Sequence, residues 1–411
     1  MLKELRLENW KSFKSSSFYI DKITTLIGTN SSGKSNCLDA LSFLNRIATG
    51  MSLTSALKGE GVVTGIRGGL EWAPLQPSNK FSITVVCENP EDDRTDYIYN
   101  VEAIIIDNRC ELSKESLKRI KYRPTTRNNP YEINLYWTEP CQEDDPFINA
   151  KLYNEKRGSL KKVGKSNSIL SQLAQQSIRQ EINEGVEIVR SCLKNIFILD
   201  PIPSHMRGFS ALSEHLENDA SNIAGVIAAL SEKDQIESKL SRYLKKLPEK
   251  DISRIYAETV GKFNSDAMLY CEEAWEDRTH PHTIDARGMS DGTLRFLAIA
   301  TALLTRPKGS LLIVEEIDNG LHPSRAGLLV GMLQEIGKDN GVDVLFTTHN
   351  PALLDAIGPS GIPFIMVAHR DNSSYSKITP LEEIEPLAKM IASGSIGKLS
   401  ATGKIEEILR G

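Results

Sequence analysis

Apolar residues along the chain follow two kinds of spacing. Short segments that are apolar or mainly apolar predict buried strands. These segments lie at 23–27, 196–199, 311–314 and 342–348. Apolar positions at helical spacing predict helices at 36–47 and from Ser290 to Leu304. Strands and helices in this arrangement predict an α/β fold.

Other segments add a second type of sheet and a helical insert. Residues 81–87 and 97–106 are predicted to form antiparallel strands in a mixed sheet. Between 218 and 275 the apolar spacing becomes helical and predicts a helical insert. The residues that carry this spacing are Ile223, Val226, Ile227 and Leu230.

We expect these elements to form one discontinuous domain with two lobes. Residues 1–200 would form the first lobe, 201–309 a helical second lobe, and 310–411 would return to the first lobe. The tail from 381 to 411 is predicted to be helical, with Ile384, Leu387 and Ile391 on one face. This tail would either pack on the sheet or dock a partner.

Length and composition agree with an ordinary globular protein. The 411 residues suffice for two or three domains at about 150 residues each. No apolar run approaches about 20 residues, and the polar start lacks the core of a signal peptide. The six cysteines are scattered without a C-x-x-C pair, which is typical of reduced thiols. We therefore expect a cytoplasmic protein without a membrane segment.

Charge and histidine positions leave two alternatives open. The net charge is −5, yet bases are concentrated in two segments, which would be either solvated faces or a DNA-facing rim. These bases are Lys114, Lys118, Arg119, Lys121, Arg123 and Arg127, and then Lys151, Lys156, Arg157, Lys161, Lys162 and Lys165. His280-Pro281-His282 would be a metal-binding pair or a polar loop, and we favour the loop because no third ligand is nearby.

A glycine-rich loop between the first strand and the first helix completes the phosphate-binding pattern G-x-x-x-x-G-K-[ST]. A chance Gly/Ser turn is the alternative, but the flanking strand and helix favour a phosphate site. Lys34 would reach the β- and γ-phosphates, and the Ser35 hydroxyl would bind Mg²⁺. The predicted nucleotide-binding residues here are Gly28, Thr29, Asn30, Ser31, Ser32, Gly33, Lys34, Ser35 and Asn36.

Two acids follow the apolar run at 311–314, where ligands collect at the carboxyl end of a parallel strand. Glu315 would hold Mg²⁺ through its waters, and Glu316 would orient or deprotonate an attacking water. The alternative is an acidic edge between strand and loop.

Two further segments carry candidate phosphate contacts. Ser290 and Gly292 open a helix, where a serine hydroxyl and free N–H groups make either an anion site or a simple cap. His349 ends the run at 342–348 and would either bind a γ-phosphate oxygen or the hydrolytic water, or be structural.

Together these motifs, in this order, resemble the ABC-class P-loop ATPases, and within them the RecF, SMC and OLD-like branch. The start, LRLENWKSF at 5–13, is similar to that branch's opening strand, L-x-x-x-N-F-[KR]-[SC]-F. Residues 316–323, EIDNGLHP, are similar to the D-loop of OLD-like members, and 347–351, TTHNP, to their histidine switch. The resemblance implies an ATPase head with a mixed-sheet lobe and a helical signature lobe.

This sequence departs from the family pattern in three places. Asp291 and Thr293 replace the second and fourth residues of the usual S-G-G-[QE] signature. Glu315 stands where an aspartate is commoner. No glutamine occupies the Q-loop position after 196–199, where residues 200–207 read DPIPSHMR.

The resemblance also implies a mechanism with ATP and Mg²⁺. Ser290 and Gly292 of one subunit would close on the γ-phosphate held by Lys34 of another, so that a homodimer, or a higher oligomer, encloses two ATP molecules. Hydrolysis by Glu316, with His349 as the second catalytic residue, would loosen the dimer.

The role of this clamp is open between two functions. One is a RecF-like DNA-binding ATPase of repair or recombination. The other is a regulator that holds a separately encoded effector protein, as stand-alone OLD-like ATPases of antiphage systems do. We favour the regulator, because the residues after His349 leave no room for a nuclease domain. A transporter ATPase is a third, less fitting choice.

Overall fold

The computed structural model describes residues 1–123, 130–141, 145–247, 252–273, 282–385 and 394–410. Within these residues the strands form an eight-stranded antiparallel sheet, a six-stranded central sheet and a four-stranded small sheet. A two-stranded hairpin, Gly59–Glu60 with Val63–Thr64, lies outside these sheets.

All eight strands of the antiparallel sheet lie within the first 164 residues. In spatial order its strands are Ser159–Gly164, Phe147–Leu152, Tyr131–Thr138, Arg109–Lys121, Asp92–Ile106, Lys80–Asn89, Leu2–Trp10 and Phe13–Tyr19. The strands predicted at 81–87 and 97–106 are confirmed. One face packs on the helix after the phosphate loop, where Trp10 and Phe43 both contact Phe81, at ring distances of 4.9 and 5.7 Å.

The central sheet brings the ends of its parallel strands to one edge. Its order is Ile196–Leu199, Leu311–Val314, Asp343–Thr347, Ile23–Ile27, Ile365–Arg370 and Ser376–Pro380. All neighbours pair in parallel except the last two strands, which are antiparallel. Every residue of Leu311–Val314 is buried, as its apolar sequence predicts.

Helices pack on all three of these sheets and connect many of their strands. The α-helices are Lys34–Thr49, Leu53–Lys58, Ile169–Leu173, Gln180–Lys194, Ile223–Ala229, Lys233–Leu244, Asp291–Thr305, Ala326–Asn340, Pro351–Ile357, Ile396–Ala401 and Lys404–Arg410. Short 3₁₀ helices lie at Pro323–Arg325, Pro359–Phe364 and Leu381–Glu383. The helix Lys34–Thr49 ends at Gly50, whose left-handed conformation (φ 103°) suits glycine.

The small sheet corrects the prediction that 218–275 is helical. After the two helices Ile223–Ala229 and Lys233–Leu244, the chain forms strands at Ile252–Val260 and Asp266–Glu273. A bulge between Ile252 and Arg254 shifts the register. It buries Ile252 and Ile255, three positions apart, in one core, so this strand has the apolar spacing of a helix. Ser210–Ala211 and His282–Asp285 complete the sheet.

The described part of the tail packs into the core. Ile396, Leu399 and Ile405 are buried, and the Gly397 N–H donates to the Asp355 carboxylate at 2.8 Å. Its predicted helices are present at 396–401 and 404–410, whereas Leu387 and Ile391 lie outside the described residues.

Across the described ranges, no helix is both long and apolar enough to cross a membrane.

Candidate nucleotide site

The carboxyl-terminal edge of the central sheet forms a polar cleft of about 330 Å³. Sequence-predicted residues from three separate segments meet here, together with residues that the sequence did not indicate. The lining residues are Asn30, Ser31, Gly33, Lys34, Ser35, Asn36, Glu315, Glu316, Thr347, His349 and Arg370.

The glycine-rich loop has a shape that only glycine allows at its two ends. Gly28 and Gly33 have φ angles of 140° and 114°. A Cβ atom would lie 2.1 Å from the Ala368 carbonyl oxygen at Gly28, and 2.5 Å from the Ser376 hydroxyl at Gly33. The helix begins at Lys34, so its first N–H groups lie at the cleft, as a phosphate site requires.

The predicted loop residues do not all lie in the cleft. Gly28, Thr29 and Ser32 are absent from its lining. The Lys34 ammonium donates to the carbonyls of Gly28 at 2.6 Å and Thr29 at 3.0 Å, while Ser32 is buried. Asn36 lines the cleft, but its side chain donates to the Ser12 hydroxyl at 2.7 Å.

Both predicted Mg²⁺ ligands meet in the cleft. The Ser35 hydroxyl donates a short hydrogen bond to the Glu315 carboxylate, although 280 positions separate them. Arg67 donates to the same carboxylate, at 2.5 Å from Nη2 and 3.2 Å from Nη1. Burial raises the pKa of Glu315, but the hydrogen bonds from Arg67 and Ser35 outweigh it and hold the pKa below its ordinary value.

The oxygen atoms of Ser35 and Glu315 are suitable ligands for Mg²⁺. A carboxylate and a hydroxyl are hard ligands, and Mg²⁺ is commonly held by one or two protein groups together with water and substrate phosphates. In the part of the chain that the structure describes, no cluster of three or more His, Cys, Asp or Glu side chains could hold a metal. His280 and Pro281 lie outside the described residues.

Glu316 is placed by the turn that follows the strand Leu311–Val314. Its φ angle is 48°, its N–H donates to the Thr347 hydroxyl at 2.7 Å, and its side chain is exposed. The Asn319 amide donates to the Glu316 carboxylate at 2.7 Å, which orients it. His349 is exposed at the end of the adjacent strand and lines the same cleft.

Two arginines at this site were missed from the sequence. Arg370 ends the strand Ile365–Arg370 and donates from Nε and Nη2 to the Ser31 carbonyl, at 3.0 and 2.8 Å. Its signal was the apolar run at 365–368, which predicts one more strand beside the phosphate-loop strand. Arg67 lies in a loop without periodic pattern, so only the fold reveals its contact with Glu315.

Ser290 and Gly292 lie apart from the cleft of their own chain. Ser290 is exposed and caps the helix Asp291–Thr305 by accepting from the Thr293 N–H at 3.1 Å. Gly292 is buried, and a Cβ atom there would lie 2.6 Å from the Gly320 carbonyl oxygen. Neither residue lines the cleft.

Bases of the first basic segment form ion pairs with carboxylates on neighbouring strands. Lys114 pairs with Glu102 at 3.4 Å, and Lys118 pairs with Glu132 at 2.8 Å. Lys121 similarly pairs with Asp92 at 3.5 Å. Arg127 lies outside the described residues.

A second cavity, of about 550 Å³ and mainly apolar, lies where the central strands begin. It contains Asp343, and burial raises the pKa of this carboxyl to about 7. None of the predicted site residues lines it.

One similar solved structure shares this architecture. The crystal structure titled "SmcHead bound to the C-winged helix domain of ScpA" has a TM-score of 0.50 and 14% identity, covering 92% of this chain and 97% of that one. This likeness confirms the predicted fold of an ABC-type ATPase head.

Two further heads are similar at lower scores. They are an SMC head domain from Thermotoga maritima (TM-score 0.41, 14% identity, 92% and 98% coverage) and an Smc head with extended coiled coil bound to the C-terminal domain of ScpA derived from Pyrococcus furiosus (0.47, 13%, 95% and 99%).

No curated protein matches the chain in sequence. The model of one protein family matches residues 23–355, which include the phosphate loop, both cleft acids and His349. Its description is "AAA domain, putative AbiEii toxin, Type IV TA system". Because the match spans most of the 411 residues, the chain belongs to this family of P-loop ATPases.

Proposed function

We propose that this chain binds and hydrolyses Mg-ATP, closes into a head-to-tail dimer around it, and thereby regulates a partner protein. The observation that carries the proposal is the contact of Ser35 with Glu315, supported by Arg67. It brings a hydroxyl and an ionised carboxylate together beside a phosphate loop, which is the arrangement that Mg-nucleotide binding requires.

Each residue of the cleft has a role in this proposal. The N–H groups at the start of the helix Lys34–Thr49 bind phosphate oxygens. Lys34 gives up its hydrogen bonds to the loop carbonyls and contacts the β- and γ-phosphates instead. Ser35 and Glu315 hold Mg²⁺, which neutralises charge on the phosphates. Arg370, which donates hydrogen bonds to the Ser31 carbonyl, adds a positive charge beside the phosphate loop.

Hydrolysis is assigned to Glu316 and His349. Glu316 takes the proton of the attacking water, and the Asn319 amide orients its carboxylate. His349, at the end of the neighbouring strand, donates to a γ-phosphate oxygen or to the water.

The separation of Ser290 and Gly292 from the cleft supports the dimer. An exposed serine at a helix start can bind a phosphate of a second chain, but it does not line the cleft of its own chain. ATP would drive closure through contacts that exist only in the closed dimer.

A regulatory role in antiphage defence, as in OLD-like ATPases, fits better than direct DNA binding. The family description names a toxin and a toxin–antitoxin system, and one similar SMC head is bound to a domain of another protein. The ion pairs of Lys114, Lys118 and Lys121 also reduce the free positive charge of the first basic segment. Because the described tail packs into the core, we place effector docking elsewhere.

Nucleotide binding is tested with Lys34→Ala. Loss of a charge-assisted contact costs about 1.5–3 kcal/mol, so ATP affinity measured by calorimetry should fall about tenfold or more. Circular dichroism would show whether the variant keeps its fold. A folded variant with unchanged affinity would rule out the phosphate loop as the nucleotide site.

The composite site is tested with Ser290→Arg. The variant should bind ATP as the wild type does, because its own cleft is intact, but its hydrolysis should fall since the larger side chain blocks approach to the second chain. Mixing it with Lys34→Ala should restore at most one competent site per mixed dimer. Full hydrolysis by Ser290→Arg alone would exclude the composite site.

A further inference from the structure

One guanidinium holds the turn that carries Ser290. We call residues 286–291 the signature turn. Arg207 Nη1 donates to the carbonyls of Ala286, Arg287 and Met289 at 3.0, 2.9 and 2.8 Å. Its Nη2 donates to the Asp291 carboxylate at 2.5 Å. These four contacts lie on both sides of Ser290, so Arg207 restrains the position of the serine hydroxyl.

Arg207 ends the segment 200–207, which connects the signature turn to the nucleotide cleft. Leu199, just before this segment, pairs with Val314, just before Glu315. The segment is itself fixed, since the N–H groups of Asp200 and Ile202 donate to carbonyls of 218 and 219 at 2.8 and 3.0 Å. The signature turn is therefore tied to the strand end that carries the cleft acids.

The same contact gives a reason for Asp291 at the second signature position. Its side chain is 67% exposed beside Ser290, where a carboxylate would repel the triphosphate of an approaching chain. Arg207 offsets this negative charge while its other nitrogen holds the turn. Through this ion pair, an aspartate at position 291 no longer hinders closure of the proposed dimer.

We propose that Arg207 is a positioning residue that presents Ser290 to the ATP of a second copy of this chain and neutralises Asp291. The inference rests on the proposed head-to-tail dimer. Arg207 acts through the signature turn, so its loss affects closure of the dimer more than binding of ATP to one chain.

The first test compares Arg207→Ala with Arg287→Ala. Arg287 lies in the same turn, but its side chain is 69% exposed and pairs with Asp285, and its backbone carbonyl survives the substitution. With Mg-ATP, Arg207→Ala should need about tenfold or more protein to dimerise in sedimentation experiments, while Arg287→Ala matches the wild type. ATP affinity of the monomer should be unchanged in both.

The second test separates charge from position. In Arg207→Ala the Asp291 carboxylate is left unpaired, so Arg207→Ala/Asp291→Gly should dimerise better than Arg207→Ala alone. Arg207→Lys keeps the charge but loses the planar donors, so dimerisation should fall by a smaller factor. This lysine variant also carries the test if the alanine variant fails to fold.

Two results would overturn the inference. One is wild-type dimerisation in a folded Arg207→Ala or Arg207→Lys variant, which would show that the turn does not depend on Arg207. The other is a double variant no better than Arg207→Ala, which would exclude the charge effect of Asp291. A wild-type chain that stays monomeric with Mg-ATP would instead overturn the proposed function itself.

Discussion

Two carboxylates in different regions of the molecule accept several hydrogen bonds, yet their pKa values shift in opposite directions. Glu115, in the antiparallel sheet, is 1% exposed and accepts from the N–H groups of Ile169 and Leu170 and from the Tyr136 hydroxyl, at 2.7 to 2.9 Å. Burial outweighs these bonds and raises the pKa of Glu115 to about 7. At Glu315 the pKa is lowered.

Burial and the hydrogen-bond donors together explain this difference, since the Glu315 side chain is 29% exposed and Glu115 is almost fully buried. Burial also raises the pKa of Glu315, but one of its donors is the guanidinium of Arg67. A formal positive charge stabilises the ionised carboxylate more than neutral N–H and O–H groups do. Glu115 therefore has a structural role, since it links its strand to the helix that begins at Ile169. Glu315 stays ionised and suits a metal ligand.

The largest expected effect is on ATP hydrolysis, which should depend on the cleft acids and not on Glu115. Glu316→Gln keeps the size of the side chain but removes the base, so ATP hydrolysis should fall about 10²–10⁴-fold while Mg-ATP is still bound and dimers accumulate. Glu315→Gln should instead weaken Mg²⁺-dependent binding. Phosphate release and calorimetry measure both properties.

Glu115→Gln is the control for these variants, because it lies outside the cleft and should leave hydrolysis unchanged. Hydrolysis that survives in Glu316→Gln and fails only in Glu315→Gln would reverse the two roles.

The next effect concerns stability against pH. The pKa of Glu115 is about 7 in the folded chain against an ordinary 4.5, so the folded state binds more protons between these values. The free energy of unfolding should therefore fall as the pH rises from 4.5 to 7, by about 3 kcal/mol from this group. This contribution is complete below pH 4.5 and lost above pH 7.

Urea titrations at pH 5 and pH 8 measure this difference. Glu115→Gln should reduce the difference in unfolding free energy between the two pH values. Adding Asp343→Asn should reduce this difference further, because the raised pKa of Asp343 acts in the same direction. An equal pH dependence in wild type and Glu115→Gln would contradict the assignment.

The smallest expected effect is on the Mg²⁺ dependence of hydrolysis, and it should come from Arg67, which contacts Glu315. Arg67→Ala removes the group that orients Glu315, so the Mg²⁺ concentration for half-maximal hydrolysis should rise about tenfold. Arg67→Lys keeps the charge and should show a smaller rise. If the alanine variant needs no more Mg²⁺ than the wild type, Arg67 has no role in metal binding.

Elements whose signal is local were predictable from the sequence. The strand Ile196–Leu199 was predicted with its observed bounds, and the helix at 36–47 was predicted within two residues at each end. The segment 252–260 was wrongly predicted as helical, because the helical spacing at 223–230 was extended to residue 275. The bulge, which buries Ile252 and Ile255 three positions apart, gave no alternation that would have indicated a strand. The catalytic and metal-binding roles of Glu316, His349, Ser35 and Glu315 stay predictions.

The sequence by itself determined the phosphate loop, the buried strands and the acids at the strand end. These features depend on neighbouring residues, through backbone conformation, periodic burial and the fixed edge of a parallel sheet. Only the tertiary structure decided that Arg67 contacts Glu315, that Arg370 contacts Ser31, and that Arg207 holds the signature turn. Long side chains from distant segments meet through packing, and no spacing along the chain encodes that packing.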